Sequence, residues 1–275
     1  MRNVLVVANR TVAGRSLLEA VRRRHEQGDH RFHLVVPLAQ PKHGNVIYDE
    51  AERDAARLRV DLVTAFLAKE GIKISGEVGD EDPYSATTDA LASFPADEII
   101  VSTLPQTRSG WLRRDLVDRI RDAAGDRPVE HVVTDLQSEG LAVGVTLVVA
   151  NRTAGGDELM ELLKRDAEQE DRVFIAVMPL DGREGRHTGE CRTRLVRFIG
   201  QLREHGITAS GMIGDPDPYD AVKNALELFT VDHVVISTLP GEKSGWLRAD
   251  LVDRVRNSTA ATVDHVEVAL EGVPA

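Results

Sequence analysis

Short β-branched runs alternate strictly with amphipathic helical stretches along this chain, and the alternation is traversed twice. Three observations therefore predict an α/β protein of two doubly wound domains. First, runs such as Val4 to Ala8 are continuously apolar, the mark of a strand buried on both faces. Second, each is followed by a helix-length crossover, which implies parallel strands, right-handed connections and a sheet covered on both faces. Third, the passage from Ser102 to Arg119 returns as Ser237 to Arg254, with 14 of 18 positions identical. Leu5 to Thr11 likewise returns as Leu147 to Thr153, and Gly79-Asp-x-Asp-Pro-Tyr84 as Gly214 to Tyr219. A shift of 135 residues (Gly110 against Gly245) is far too long for a solenoid repeat, so each copy is a domain. The expected division is 1–137 and 143–275.

In the first copy the strand Val4 to Ala8 leads into a helix from about Ala13 to Gln27, with Leu17, Leu18 and Val21 on one face. Phe32 to Leu38 is the second strand, and Glu50 to Lys69 a helix with Leu58, Leu62 and Phe66 at helical spacing. Lys73 to Val78 is the third strand, Pro83 to Ser93 a helix, and Glu98 to Ser102 the fourth strand. A helix from Gly110 to about Ala124 and the strand Val129 to Thr134 complete the unit. The second copy runs from Val145 to about Val268 and is seven residues shorter between its second and third strands, which places Gln40 to Tyr48 in a surface loop. Between the copies, Asp135 to Gly144 forms a linker short enough to predict that the halves pack as an intrachain pseudo-dimer.

Composition (42% hydrophobic, 29% charged) and the lack of any apolar run near ~20 residues predict a soluble, cytoplasmic protein. The N-terminus is too short in its apolar part for a signal peptide. A net charge of −11 argues against nucleic acid or an anionic membrane as partner. The one cysteine, Cys191, excludes an intrachain disulfide. The nine histidines show no metal-ligand spacing, so no metal is expected. His131 and His265, in corresponding last strands, are read as half-buried residues with structural hydrogen bonds.

In open parallel sheets the ligand site lies beyond the carboxyl ends of the strands, where the strand order reverses. The recurring pieces all fall there. They are Asn9, Arg10 and Thr11 after the first strand, Gly79 and Asp80 after the third, and Ser102, Thr103, Leu104 and Pro105 after the fourth. Their counterparts are Asn151, Arg152, Thr153, Gly214, Asp215, Ser237 and Thr238. Ser109 is placed to cap a helix whose free N–H groups favour an anion, Gly110 permits close approach, and Arg113 adds charge, with Ser244, Gly245 and Arg248 repeating the arrangement. Asn9 lies where an adenine or ribose edge would sit, and Asp80 is placed to hydrogen-bond a ribose. The same residues also read as ordinary architecture. Ser109 then only caps, Gly79 to Tyr84 forms a turn with an Asx-type cap, Asp115, Asp118, Arg113 and Arg119 make surface pairs, and Trp111 and Trp246 pack a helical turn or an interface.

With these residues in view, the chain resembles the universal stress protein family, as a tandem two-domain member. The resemblance implies a Rossmann-like five-stranded sheet of order 3-2-1-4-5 in each domain. It also implies adenine-nucleotide binding, ATP or AMP, without much catalysis, and pairing of domains through their fifth strands; a homodimer is left open. The chain departs from the nucleotide-binding branch in carrying Asn9 and Asn151 where that branch has aspartate. It also has Ser102-Thr-Leu-Pro105 in place of the first glycines of the phosphate loop, and a carboxylate, Asp118, near the position of a later Gly-Ser. Nucleophile-elbow and Walker patterns are absent, and the rim offers no repeated histidine or lysine, which favours binding over catalysis. Two readings stand: a regulatory protein holding a small anionic ligand at one or both rims, and a structural or interaction protein in which the same residues stabilise loops and interfaces.

Overall fold

The computed structural model describes residues 1–38, 46–105, 115–180, 186–241, 246 and 250–269, the side chains of 46–50 and 186–188 excepted. The chain divides into two compact units, Met1–Val143 and Gly144–Ala275.

Unit 1 contains β1 (Arg2–Val7), α1 (Arg15–Glu26), β2 (His30–Pro37), α2 (Val46–Lys69), β3 (Ile74–Gly79), α3 (Pro83–Ser93), β4 (Glu98–Thr103), α4 (Leu116–Ala124) and β5 (Val129–Val133). All its strands are parallel, in the order β3-β2-β1-β4-β5. Unit 2 repeats this with β6 (Gly144–Val149), α5 (Asp157–Gln169), β7 (Arg172–Pro179), α6 (Arg186–Glu204), β8 (Thr208–Gly214), α7 (Pro218–Leu228), β9 (His233–Thr238), α8 (Leu251–Arg256) and β10 (Thr262–Glu267). Its sheet runs β8-β7-β6-β9-β10, again parallel. Each unit is thus a doubly wound α/β domain, with its first strand at the centre where the order reverses.

Burial on both faces explains the continuous apolar runs. In unit 1, Leu5 and Val7 of β1 join Val35, Ile99 and Val101 against Ala86, Ala90 and Phe94 from the α3 segment and Leu116, Val117 and Ile120 of α4. In unit 2, Val148 of β6 packs on the opposite face with Phe174, Ala176 and Met178, beneath Leu159, Met160 and Leu163 of α5 and Leu195, Phe198 and Leu202 of α6. Successive strand side chains alternate between faces, so a strand covered on both sides has no polar phase to show. Cys191 lies inside this second cluster, and its thiol is directed at the carbonyls of Met178 and Pro179. It is a buried core residue, where unit 1 has the smaller Ala56.

One helix start differs from the sequence expectation. In place of continuous helix from Gly110, α4 begins at Leu116, directly after Asp115 in the left-handed region with φ 49°; residues 106–114 lie outside the described residues. Asp250 repeats the same φ before α8. A left-handed residue interrupts a right-handed helix, and aspartate is among the few residues that tolerate the conformation. Apolar periodicity is blind to such a break.

Asp82 and Asp217 cap α3 and α7. Asp82 accepts from the backbone N–H of Ser85 at 3.1 Å, Asp217 accepts from those of Tyr219 and Asp220 at 2.8 and 3.1 Å, and proline follows each cap. Gly79 and Gly214 end β3 and β8 where these helices press closest to the sheet. A Cβ at Gly79 would meet Ala86 Cβ at 2.6 Å and Val35 Cγ1 at 2.9 Å, and one at Gly214 would meet Ala221 and Val177 at 2.7 and 2.8 Å. The Gly79→Ala and Gly214→Ala variants should each lose about 1–3 kcal/mol, the usual cost of overpacking a dense interior, read as a lower urea midpoint at unchanged slope.

Candidate functional site

The chain leaving the central strand β1 is held to both neighbouring strands by its own side chains. Asn9 Nδ2 donates to Pro37 O at 2.7 Å, at the end of β2, and Thr11 Oγ1 reaches Ser102 O at 3.5 Å, on β4. In unit 2, Asn151 Nδ2 donates to Pro179 O at 2.7 Å and Thr153 Oγ1 donates to Ser237 O at 3.1 Å. All four side chains are buried. Because Asn9 and Asn151 spend their amide nitrogens on these carbonyls, each turns its Oδ1 acceptor the other way.

The two acceptors meet different fates. Asn151 Oδ1 accepts from Arg194 Nη1 of α6. Among the described residues, Asn9 Oδ1 is buried without a donor. The residue of α2 that corresponds to Arg194 is Arg59, only 5% exposed. Burial pushes the Arg59 guanidinium down to about 10; the Glu52 carboxylate opposes that shift and the Arg10 cation adds to it. It remains charged at neutral pH. Arg10 is exposed and lies 3.7 Å from Glu52. Among the described residues, the first-strand loop of unit 1 and the α2 helix beside it thus bring together Arg10, Arg59, Glu52 and the Asn9 acceptor.

Arg59 and Glu52 are functional candidates that reading the sequence missed. The available signal was an arginine within the buried stripe formed by Ala55, Ala56, Val60 and Val63, recurring 135 residues later as Arg194 beside Cys191 and Leu195.

Several predicted ligand contacts prove to be internal ties. Ser102 and Thr103 were expected to donate to a phosphate, yet both are almost wholly buried. Ser102 Oγ lies 3.1 Å from Thr134 Oγ1, and Thr103 Oγ1 lies 2.9 Å from His131 Nε2, so both hydroxyls stitch β4 to β5. Thr238 repeats the second tie with His265 Nε2 at 2.8 Å. Asp80 is exposed and accepts from the backbone N–H of Asp82 at 2.8 Å, and Asp215 does the same with Asp217, the Asx turn that its sequence also allowed. Gly79 and Gly214 serve helix packing, as above. Arg119 and Arg254 lie over the rings of Tyr84 and Tyr219 at 4.2 and 3.9 Å, tying the fourth helix of each unit to the third. Ser109, Gly110, Arg113, Ser244, Gly245, Arg248 and Trp111 lie outside the described residues; Trp246 is half-buried. Arg152 is exposed. Among the described residues no group of His, Cys, Asp and Glu is arranged to hold a metal, and no helix is long and apolar enough to cross a membrane.

No protein-family model and no curated protein matches the chain. Among solved structures, it is similar to a universal stress protein of Archaeoglobus fulgidus DSM 4304, at 12% identity and TM-score 0.38, over 97% of this chain and 96% of that one. It is similar also to a putative universal stress protein of Pseudomonas aeruginosa UCBPP-PA14, at 17% identity and TM-score 0.32, over 98% and 94%. A third similar structure is an Archaeoglobus fulgidus universal stress protein in complex with dAMP, at 14% identity and TM-score 0.36, over 46% of this chain and 98% of that one.

Ser237 Oγ is buried without a partner among the described residues, because the position of Thr134 is Val268 in unit 2. In unit 1 the methyl of Thr134 faces Gly14, as a methyl of Val268 faces Gly156, which leaves the other branch to reach the serine. Val268→Thr should therefore restore the missing hydrogen bond and raise stability by about 0.5–1.5 kcal/mol in urea denaturation.

The two strand histidines also carry a pH dependence. Burial lowers His131, with Arg121 adding to the shift and Asp118 opposing it. Burial lowers His265 too, against Glu267 and with Arg256. Folded pKa values below the ordinary ~6.5 mean that the unfolded chain binds more protons in the interval between the two. The stability from neutral imidazole is complete above about pH 6.5 and is lost as pH falls from there through the folded values. The double variant His131→Gln/His265→Gln should show a smaller drop in urea midpoint than the parent protein between about pH 7.5 and about pH 5.5.

Proposed function

We propose that the protein is a non-enzymatic regulatory protein of the universal-stress-protein kind, binding a small anionic ligand, an adenine nucleotide such as ATP or AMP, at a carboxyl-end rim. The observation that carries this reading is the group at the end of β1. Asn9 Oδ1 is a buried acceptor with no donor among the described residues, in the loop that carries Arg10 and its neighbours Glu52 and Arg59. An unfilled buried acceptor costs about 1–3 kcal/mol, which a ligand amino or hydroxyl group would recover. An adenine amino group or a ribose hydroxyl is such a donor, and phosphate suits the paired guanidinium groups. Nothing in this group supplies a poised base or nucleophile, which supports binding over turnover.

A second reading rests on its own observation. Most polar residues that recur in both units, Thr103, Asp80 and Arg119 among them, have internal partners. Such residues recur for stability as readily as for a ligand, and the protein then acts through its surfaces alone.

Isothermal titration of the nucleotide-free full chain with ATP, AMP and inorganic phosphate at low salt separates the two. Saturable binding that weakens by about tenfold in Arg10→Ser, the loss of about 1.4 kcal/mol of charge-assisted contact, is the expected result. Silence with all three probes from a folded sample would reject the nucleotide reading in favour of the second.

A further inference from the structure

The duplication supplies two copies of one loop, and the copies are in different states. Asn9 and Asn151 make the same bond from the same atom, at 2.7 Å to Pro37 O and Pro179 O. Arg59 and Arg194 occupy the same position of the helix that packs over the loop. In unit 2 the arginine Nη1 reaches the asparagine Oδ1, and the acceptor is filled. In unit 1 the acceptor stays open while Arg59 is buried more deeply than its half-buried counterpart. Both copies keep the asparagine and the arginine; what differs beside them is Glu52, whose counterpart in unit 2 is His187.

Resting on the binding reading above, we infer that the two rims are not equivalent. Unit 1 takes the anionic ligand, whereas in unit 2 the guanidinium of Arg194 occupies the asparagine acceptor itself, so the chain binds one ligand, not two. The charges around the loop point the same way. In unit 1 the exposed Arg10 cation lies close enough to buried Arg59 to add to its downward shift, which the Glu52 carboxylate opposes, so a phosphate drawn to Arg10 would be favoured by Arg59 as well. In unit 2 the corresponding half-buried cation is already hydrogen-bonded to a neutral amide oxygen of the loop.

The test is titration of the full chain with AMP and with inorganic phosphate, using a matched pair of exposed substitutions that leave the fold intact. The wild type should show one site per chain. Arg10→Ser should weaken binding at least tenfold, and Arg152→Ser should leave it within twofold. Without ligand, Arg194→Met should lower the melting temperature by orphaning Asn151 Oδ1, while the upward shift given by AMP persists. Two sites per chain, equal losses in the two serine variants, or a single site that survives Arg10→Ser would overturn the assignment to unit 1. Silence of the wild type with both probes is a different failure, since it removes the binding reading on which the assignment rests.

Discussion

The constraint on which each unit depends is the fixing of the chain as it leaves the central strand. β1 and β6 sit where the crossovers on their two sides diverge, so the loop that follows has no ladder partner on either side. Buried backbone groups in such a loop must find bonds elsewhere. Its backbone closes on itself in short turns, Val12 N–H to Asn9 O and Gly14 N–H to Thr11 O in unit 1, while asparagine and threonine, two residues apart, tie it down by donating to end carbonyls of the adjoining strands on opposite sides of the central one. This arrangement also creates the chemistry. An asparagine whose amide nitrogen is held by one carbonyl must present its oxygen elsewhere, and the candidate acceptor follows from a requirement of the fold.

The same economy governs the other recurring residues. The Thr103–His131 and Thr238–His265 bonds join the last two strands at their carboxyl ends, and the tyrosine–arginine stacks join the third and fourth helices. Asp80 and Asp82 shape the turn into α3, and Gly79 lets that helix lie close to the sheet. Recurrence across the duplication therefore marks need without saying what kind. A polar residue at the rim becomes a ligand candidate only after its internal bonds are counted.

Most of the fold was legible because buried parallel strands leave an unmistakable trace in β-branched runs such as Leu5 to Val7, and because Asp82 and Pro83 announce a helix start. The start of α4 was not, since the left-handed turn at Asp115 is a backbone event that leaves the apolar spacing of Leu116, Val117 and Ile120 intact. At the candidate site, the place of Asn9 and Arg10 at the end of the first strand was legible. Ser102 and Thr103 were misread because nothing in a strand-end hydroxyl tells whether it faces a ligand or the next strand. Arg59 was overlooked because an arginine in a helix suggests a solvated face, and only its three-dimensional neighbours reveal that it is buried.

An unfilled hydrogen-bonding atom is not in itself a binding site, and the two units provide the contrast that shows why. Ser237 Oγ and Asn9 Oδ1 are both buried and both lack partners. For Ser237 the cause is a replacement, Val268 standing where the other unit keeps threonine, and the vacancy records drift after duplication. For Asn9 the asparagine and the arginine are both kept, and the replacement lies beside them, where Glu52 of unit 1 corresponds to His187. The arginine that could fill the acceptor is still present in α2, buried near the Glu52 carboxylate and the Arg10 cation, whereas its twin in unit 2 bonds the asparagine. Drift accounts for a lost partner. The first rim differs in keeping both residues of the pair without joining them through Asn9 Oδ1, and that contrast is why the first rim, and not the second, is the one proposed to take an anion.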